Sequence, residues 1–474
     1  MSASASILHA AAPHRSITRR EGHRLARSLF RVHERIMSRP TLRLLEKLQA
    51  SQWWPRERFA AYQSDRLREL LQHSIDHCPF YKARRSRFTP GSEIAELPLL
   101  TRSMLRQSHE EMRSRHDALP LIGHTHGTAD EGVRFYWDRM RQARDKAHRL
   151  RGHAWHGFEI GDRELHLWPI DPPASTGAAI KQALRHARDR ITGDRQIDIL
   201  DSPSMGLAVL QREWSAFKPA RVTAYPSVLA EILKVGLCPS PVVRTAFLTG
   251  EVTFGWQRQL IERALGAPII QNYGLQEVGP IAFECREGSW HTCAESVIVE
   301  FIRDGRTALP GELAEVVVTG LQSRVMPMIR YCTGDIVRVA APRNCPCGRG
   351  LPVMPPILGR AGDFVLGSNG RWIGPDEVTE CVGRWIEPGT FQFSQSATGD
   401  LAIGITAGAH MTSESRSGLE ISVRELIGGT PNLQIVPINS PSRTRFGKCR
   451  YVQSARTTGG LACTHGSEVV CAEI

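Results

Sequence analysis

The chain has 474 residues, 41% hydrophobic and 23% charged, ordinary proportions for a globular protein and too many residues for one small core. Its 60 Lys and Arg against 48 Asp and Glu give a formal charge of +12, which favours acidic partners: phosphate-bearing small molecules, nucleic acid or an anionic membrane surface. No stretch approaches the ~20 consecutive apolar residues of a membrane span. The basic residues are dispersed without interleaved aromatics, which argues against nucleic acid.

The 11 cysteines are odd in number and irregularly spaced, so they point to a reducing cytoplasm rather than a disulfide framework. The first 36 residues are rich in Ser and Arg and poor in acids. They read as a frayed tail leading into a basic surface helix, with an organellar transit peptide as the alternative. From Leu25 to Ser74 apolar residues recur at helical spacing, punctuated by Pro40 and by Trp53-Trp54-Pro55. Residues 1–74 are therefore expected to form a basic, mostly helical extension. Cys78-Pro79-Phe80-Tyr81 reads as a turn, and Thr101 as the cap of a following helix.

Between about residues 120 and 359, β-rich runs alternate with amphipathic helices. Strands are predicted at Glu164–Trp168, Arg221–Tyr225, Thr245–Thr249, Pro268–Asn272 and Ala314–Thr319, and helices at Pro226–Val235 and Gly255–Leu265. The pattern predicts an α/β domain with mixed sheets and flanking helices over residues 75–360. Past Arg360-Ala361-Gly362-Asp363, three short strands (Phe391–Ser394, Leu401–Thr406, Leu433–Pro437) flank a helix at Ser415–Ile427, a small α+β domain over 361–456. Residues 457–474 are Gly- and Thr-rich and are expected to be disordered.

Four stretches carry chemistry. In Gln271-Asn272-Tyr273-Gly274-Leu275-Gln276-Glu277 a strand ends in a glycine-permitted turn and a carboxylate follows, well placed to hold magnesium against phosphates. Arg330-Tyr331-Cys332-Thr333-Gly334-Asp335 presents an aspartate whose two oxygens suit ribose hydroxyls. Gly359-Arg360-Ala361-Gly362-Asp363 joins a fixed positive charge to small residues able to absorb a backbone rotation. Arg443-Thr444-Arg445-Phe446-Gly447-Lys448-Cys449-Arg450 offers an ammonium ion on an exposed loop. Each alone is also an ordinary turn, loop or basic surface; their order and spacing together are not ordinary.

In that order and spacing the four stretches resemble the adenylate-forming (AMP-binding) superfamily. YGLQEVGP, RYCTGD, GRAGDF and SRTRFGKCR, preceded by CPFY and ELPLLTRSML, resemble its phenylacetate–coenzyme A ligase branch in particular. AYPS at Ala224–Ser227 and LTGE at Leu248–Glu251 are lesser matches. The resemblance implies ATP-dependent activation of a carboxylic acid, aromatic or apolar, to an acyl-adenylate, then transfer to coenzyme A. It implies that Glu277 binds metal and phosphates, that Asp335 and Arg360 hold the ribose, and that Gly250, Glu251, Tyr273 and Gly274 border the adenine. Lys448 would serve adenylation, and the small domain would rotate about Asp363 between the two steps.

Cys285, His291, Cys345 and Cys347 form a Cys₃His set suited to structural zinc, with Cys293 as a substitute ligand; part of the same branch has an equivalent constellation. The superfamily's phosphate-gripping loop is altered at residues 123–132. Gly127 and Thr128 keep its pattern, whereas Ala129 replaces a hydroxyl, Asp130 replaces a glycine and Glu131 adds a negative charge for magnesium or Arg134 to offset. Two alternatives therefore stay open: transfer of the acyl or adenylyl group to an amine, hydroxyl or cofactor, and a catalytically impaired nucleotide-binding homologue. Phe135, Tyr136, Tyr225 and Pro226 are the candidates for an apolar acid pocket, and a homodimer is allowed.

Overall fold

The computed structural model describes residues 17–456 except 117–119, 125–131, 171–174, a set of positions between 178 and 191, 200–201, 238–241, 408–410 and 445–446. Helices Ile17–Ile36, Thr41–Ser51 and Arg56–His77 form the N-terminal region, and each break falls at a proline: Pro40 and Pro55 directly precede the second and third. Thr101 caps the helix Arg102–Met112, its hydroxyl accepting the Met104 N–H at 3.2 Å.

The largest sheet has eight strands, in the order Val353–Met354, Trp290–Thr292, Gly279–Glu284, Ile269–Leu275, Thr245–Leu248, Arg221–Ala224, Glu164–Trp168 and Asp194–Asp198. The last five are parallel, and the strands at 245 and 221 are buried along their whole length, as short apolar runs in a covered parallel sheet should be. Leu165, Leu167, Val222, Ala224 and Ala246 share a core with the helices Pro226–Lys234 and Gly255–Leu265. After Leu275 the chain reverses into an antiparallel strand, so the sheet is mixed.

A second sheet of five antiparallel strands runs in the order Arg306–Thr307, Val297–Arg303, Leu313–Gly320, Tyr331–Arg338 and Ile357–Arg360. Its last pairing sets Asp335 directly opposite Arg360. Beyond Asp363, the strands Leu433–Ile438, Leu401–Thr406, Phe391–Gln395 and Val452–Ser454 form a four-stranded sheet, with the helices Pro375–Gly383 and Ser413–Ile427. Phe391, Phe393, Ile403, Leu419 and Val423 make a core of its own there, which Phe254 of the large domain joins from outside.

Phe135 and Tyr136 are not among the residues lining the two cavities described below. They lie on the strand Arg134–Trp137, 3% exposed, inside the core that packs helix Arg102–Met112 against the antiparallel sheets. Their apolar surface contributes to that core. Among the described residues, no helix is long and apolar enough to cross a membrane.

Candidate active site

The carboxyl ends of the parallel strands open onto a cavity of about 190 Å³ lined by Gly250, Glu251, Tyr273, Gly274, Asp335, Arg360, Asp363 and Lys448, among others. Gly250 follows the strand Thr245–Leu248 at φ +81°, and a Cβ there would stand 2.6 Å from Cε1 of Tyr225. Only glycine fits that turn without displacing the ring.

Tyr273 donates its hydroxyl to Oδ2 of Asp335 at 2.7 Å, and Nε of Arg360 stands 3.5 Å from Oδ1. Nη2 of Arg360 donates to the Thr333 carbonyl at 2.7 Å, and the Gly334 N–H donates to Oε1 of Glu315 at 2.7 Å. Gly334, at φ +77°, is thus held by the strand beside it, and Asp335 and Arg360 meet across one step of the ladder. Burial works against the Arg360 charge, but Asp335 and Asp363 outweigh it and raise its pKa.

Lys448 enters from the segment that precedes the strand Val452–Ser454 of the four-stranded sheet. Its ammonium sits 5.2 Å from the centre of the Tyr225 ring, a cation–π contact. The next residue, Cys449, donates its N–H to Oε1 of Glu251 at 2.8 Å. Glu251 also accepts the Ser227 N–H (3.0 Å) and hydroxyl (2.9 Å), so one carboxylate ties the Lys448 loop to the large domain. Burial lowers the Lys448 pKa below the usual lysine value, opposed by the carboxylates of Glu251, Asp335 and Glu277, while Arg360 adds to the depression. These charged groups, far apart in the chain, therefore act on one ammonium. Asp363 accepts the Arg360 N–H at 3.1 Å and a guanidinium N–H of Arg450 at 3.2 Å; burial raises its pKa against both.

Glu277 does not line the cavity. It is 5% exposed, and Oε1 accepts the Tyr331 hydroxyl at 2.9 Å, while Arg141 donates to its backbone carbonyl at 2.8 Å. Thr128 lies outside the described residues, as does most of the altered loop 123–132. The parts played by Tyr225 as a platform, by Ser227 and Cys449 on Glu251, and by Arg450 on Asp363 were not legible in the motifs. Only their nearness to LTGE and to Lys448 hinted at them.

Cys285, His291, Cys345 and Cys347 bring their ligand atoms within 4.8 Å of one another. Sγ of Cys285 and Cys345 are 3.7 Å apart, close to the ~3.8 Å edge of a tetrahedron with 2.3 Å metal–sulfur bonds. Nε2 of His291 is 3.1 Å from Sγ of Cys347, and Nδ1 faces the Leu351 carbonyl at 3.0 Å, which keeps the proton on Nδ1 and leaves Nε2 free to ligate. Gly348, at φ +77°, donates to the Cys345 carbonyl at 3.1 Å and so makes the turn between the paired thiols. The donor set and spacing fit zinc. Cys293, fully buried, is not one of the four; burial pushes its thiol up to about 12.

Beside the first cavity lies a second, of about 320 Å³, between the sheet and helix Arg139–Ala154. Trp168 and Phe247 give it apolar walls; Lys146, Arg149, His166, Asp194 and Gln196 give it polar ones. Asn272 lines both cavities, and among the described residues its buried side-chain oxygen has no hydrogen-bond partner.

A parallel sheet continued by antiparallel strands, a second antiparallel sheet and a C-terminal four-stranded sheet with its helices form an arrangement shared with solved CoA ligases. The chain superposes on 2-hydroxyisobutyryl-CoA ligase in the postadenylation state in complex with R3-HIB-AMP with a TM-score of 0.67 and 21% identity, over 86% of this chain and 91% of the other. Against the open conformation of that ligase with 2-HIB-AMP and CoA the TM-score is 0.53, at 21% identity over 85% and 93% of the two chains. No family-level sequence profile matches. In sequence the chain is similar to phenylacetate–coenzyme A ligases. It is 25% identical to that of Escherichia coli K12 over 449 residues, covering 84% of this chain and 95% of the other. It is 25% identical to the Pseudomonas putida ligase over 68% and 74% of the two chains. With the Thermus thermophilus ligase identity is 32%, but over 32% of this chain and only 36% of that protein.

Proposed function

We propose that the protein is an acid–thiol ligase. It joins a carboxylate to the α-phosphate of ATP, expelling pyrophosphate, and the thiol of coenzyme A then displaces AMP to give the thioester. The observation that carries this reading is the convergence of Tyr273, Asp335, Arg360 and Lys448 on one cavity at the strand ends. Asp335 and Arg360 hold the ribose, and Gly250, Glu251, Tyr273 and Gly274 border the base. Lys448 meets the charge that develops on the carboxylate and α-phosphate. Magnesium would offset the charge of the departing pyrophosphate; Glu277, seated on Tyr331 behind the cavity wall, would act on it from outside the lining residues. Thr128 would contact phosphate.

The seating of Lys448 suits the first step. For the second, the small domain rotates about Asp363, breaking the Cys449–Glu251 and Arg450–Asp363 hydrogen bonds. The acid extends into the second cavity past Asn272. Trp168 and Phe247 suit an aromatic or apolar body, and Lys146, Arg149 and Gln196 favour one bearing polar substituents. Zinc held by Cys285, His291, Cys345 and Cys347 would pin the strands Trp290–Thr292 and Val353–Met354 at the end of the sheet that carries Tyr273.

Pyrophosphate release is measured with plain and hydroxyl- or amino-substituted aryl acids, with and without coenzyme A. Acid-dependent release with thioester formation is expected. Release without thioester points to another acceptor, and silence with every acid overturns the reading.

A further inference from the structure

The helix Ile17–Ile36 carries three separate faces over its described side chains. Ala26, Phe30 and Glu34 are buried against the body of the protein, at 6%, 4% and 2% exposure. That face is well fastened. Glu34 takes hydrogen bonds from Arg39 (2.7 Å) and from the Thr41 hydroxyl, Lys146 lies 4.6 Å from the Phe30 ring centre, and His23 reaches Asp162 at 3.4 Å. At about 100° per residue, Leu25, Leu29, Val32 and Ile36 fall on a second arc about 60° wide. All four are exposed, Ile36 to 74% and Leu25 to 63%. Arg24, Arg27, Arg31 and Arg35 occupy a third arc of about 80° between the other two, and among the described residues none of them makes an ion pair.

An apolar stripe this regular is not needed for packing, because the neighbouring face already fastens the helix. Hydrophobic anchors beside a row of arginines are the composition of helices that lie in the headgroup region of anionic bilayers. We propose that this helix docks the protein on anionic lipid surfaces, the four aliphatic side chains entering the acyl boundary and the arginines meeting lipid phosphates. The charge complementarity extends to the whole chain, at +12. Because the helix leaves both cavities unlined, docking leaves them accessible.

The test is co-sedimentation of the full chain with vesicles of phosphatidylcholine alone or mixed with phosphatidylglycerol, at low and high salt. The wild type is expected to bind the anionic vesicles at least tenfold better, and to be released by salt. Leu29→Glu with Val32→Glu should lose more than tenfold. Arg24→Gln, Arg27→Gln, Arg31→Gln and Arg35→Gln together should abolish the anionic preference, at roughly fivefold per arginine. Unchanged melting temperature and nucleotide binding would confirm that both variants fold. No binding to anionic vesicles, or equal binding by the Glu variant, overturns the proposal. So does a dimer that dissociates in the Glu variant, which would make the stripe a contact between copies.

Discussion

On one side of the cavity at the strand ends, Asp335 and Arg360 face each other from adjacent strands, each fastened further by the backbone around Thr333 and Gly334. On the other, Lys448 rides on a loop of the small domain and is held by a ring contact and by its neighbour's hydrogen bond to Glu251. The first arrangement is part of a ladder and cannot move without unfolding a sheet. The second rests on a few contacts between domains, and such contacts can be exchanged without loss of the fold. A two-step reaction needs both kinds: a grip on the nucleotide that persists and a charge that is present for only one step.

That contrast breaks most directly at Lys448. Lys448→Ala should reduce adenylate formation by about 10²–10³-fold while leaving thioester formation from supplied acyl-adenylate largely intact. Equal losses in both half-reactions would mean that the lysine is as permanent a part of the site as Asp335. The same residue predicts a pH dependence. Its ammonium is the useful form, so adenylation should fall as pH rises through a pKa below the usual lysine value near 10.4, and Lys448→Arg should move that limb to higher pH.

Asp335→Ala probes the permanent side. Losing hydrogen bonds to a charged acceptor should weaken ATP and AMP binding about 10- to 100-fold, in both half-reactions alike, by calorimetry. The metal cluster comes next. Elemental analysis of reduced protein should find about one zinc per chain, and Cys345→Ser with Cys347→Ser should lower the melting temperature by several degrees with little change in the nucleotide affinity of the folded fraction. The smallest expected effect is that of Glu251→Gln. Weakening its hold on Cys449 should slow adenylation about 2- to 10-fold and leave thioester formation unchanged or faster.

Much was legible in the chain before any folding. The predicted strands Glu164–Trp168 and Leu401–Thr406 and the helix Gly255–Leu265 are present with those bounds, because short buried runs and amphipathic periodicity are local signals. Thr101 announced its helix for the same reason. Most of the named cavity residues were candidates already because each lies in one of the short stretches that carry the resemblance. For Phe135 and Tyr136 an aromatic residue in a core and one in a pocket look alike in sequence; the strand pairing sets both in a core.

By itself, then, the sequence determined the class of elements, the place where composition shifts near residue 361, and the types of side chain available for nucleotide and metal. Tertiary structure alone decided that Asp335 faces Arg360, that Glu277 sits behind the cavity wall on Tyr331, and that Lys448 lies over Tyr225. Periodicity, caps and turns are set by neighbours along the chain. Cross-strand register and contacts between domains are set by which distant surfaces bury one another, and no local pattern encodes that.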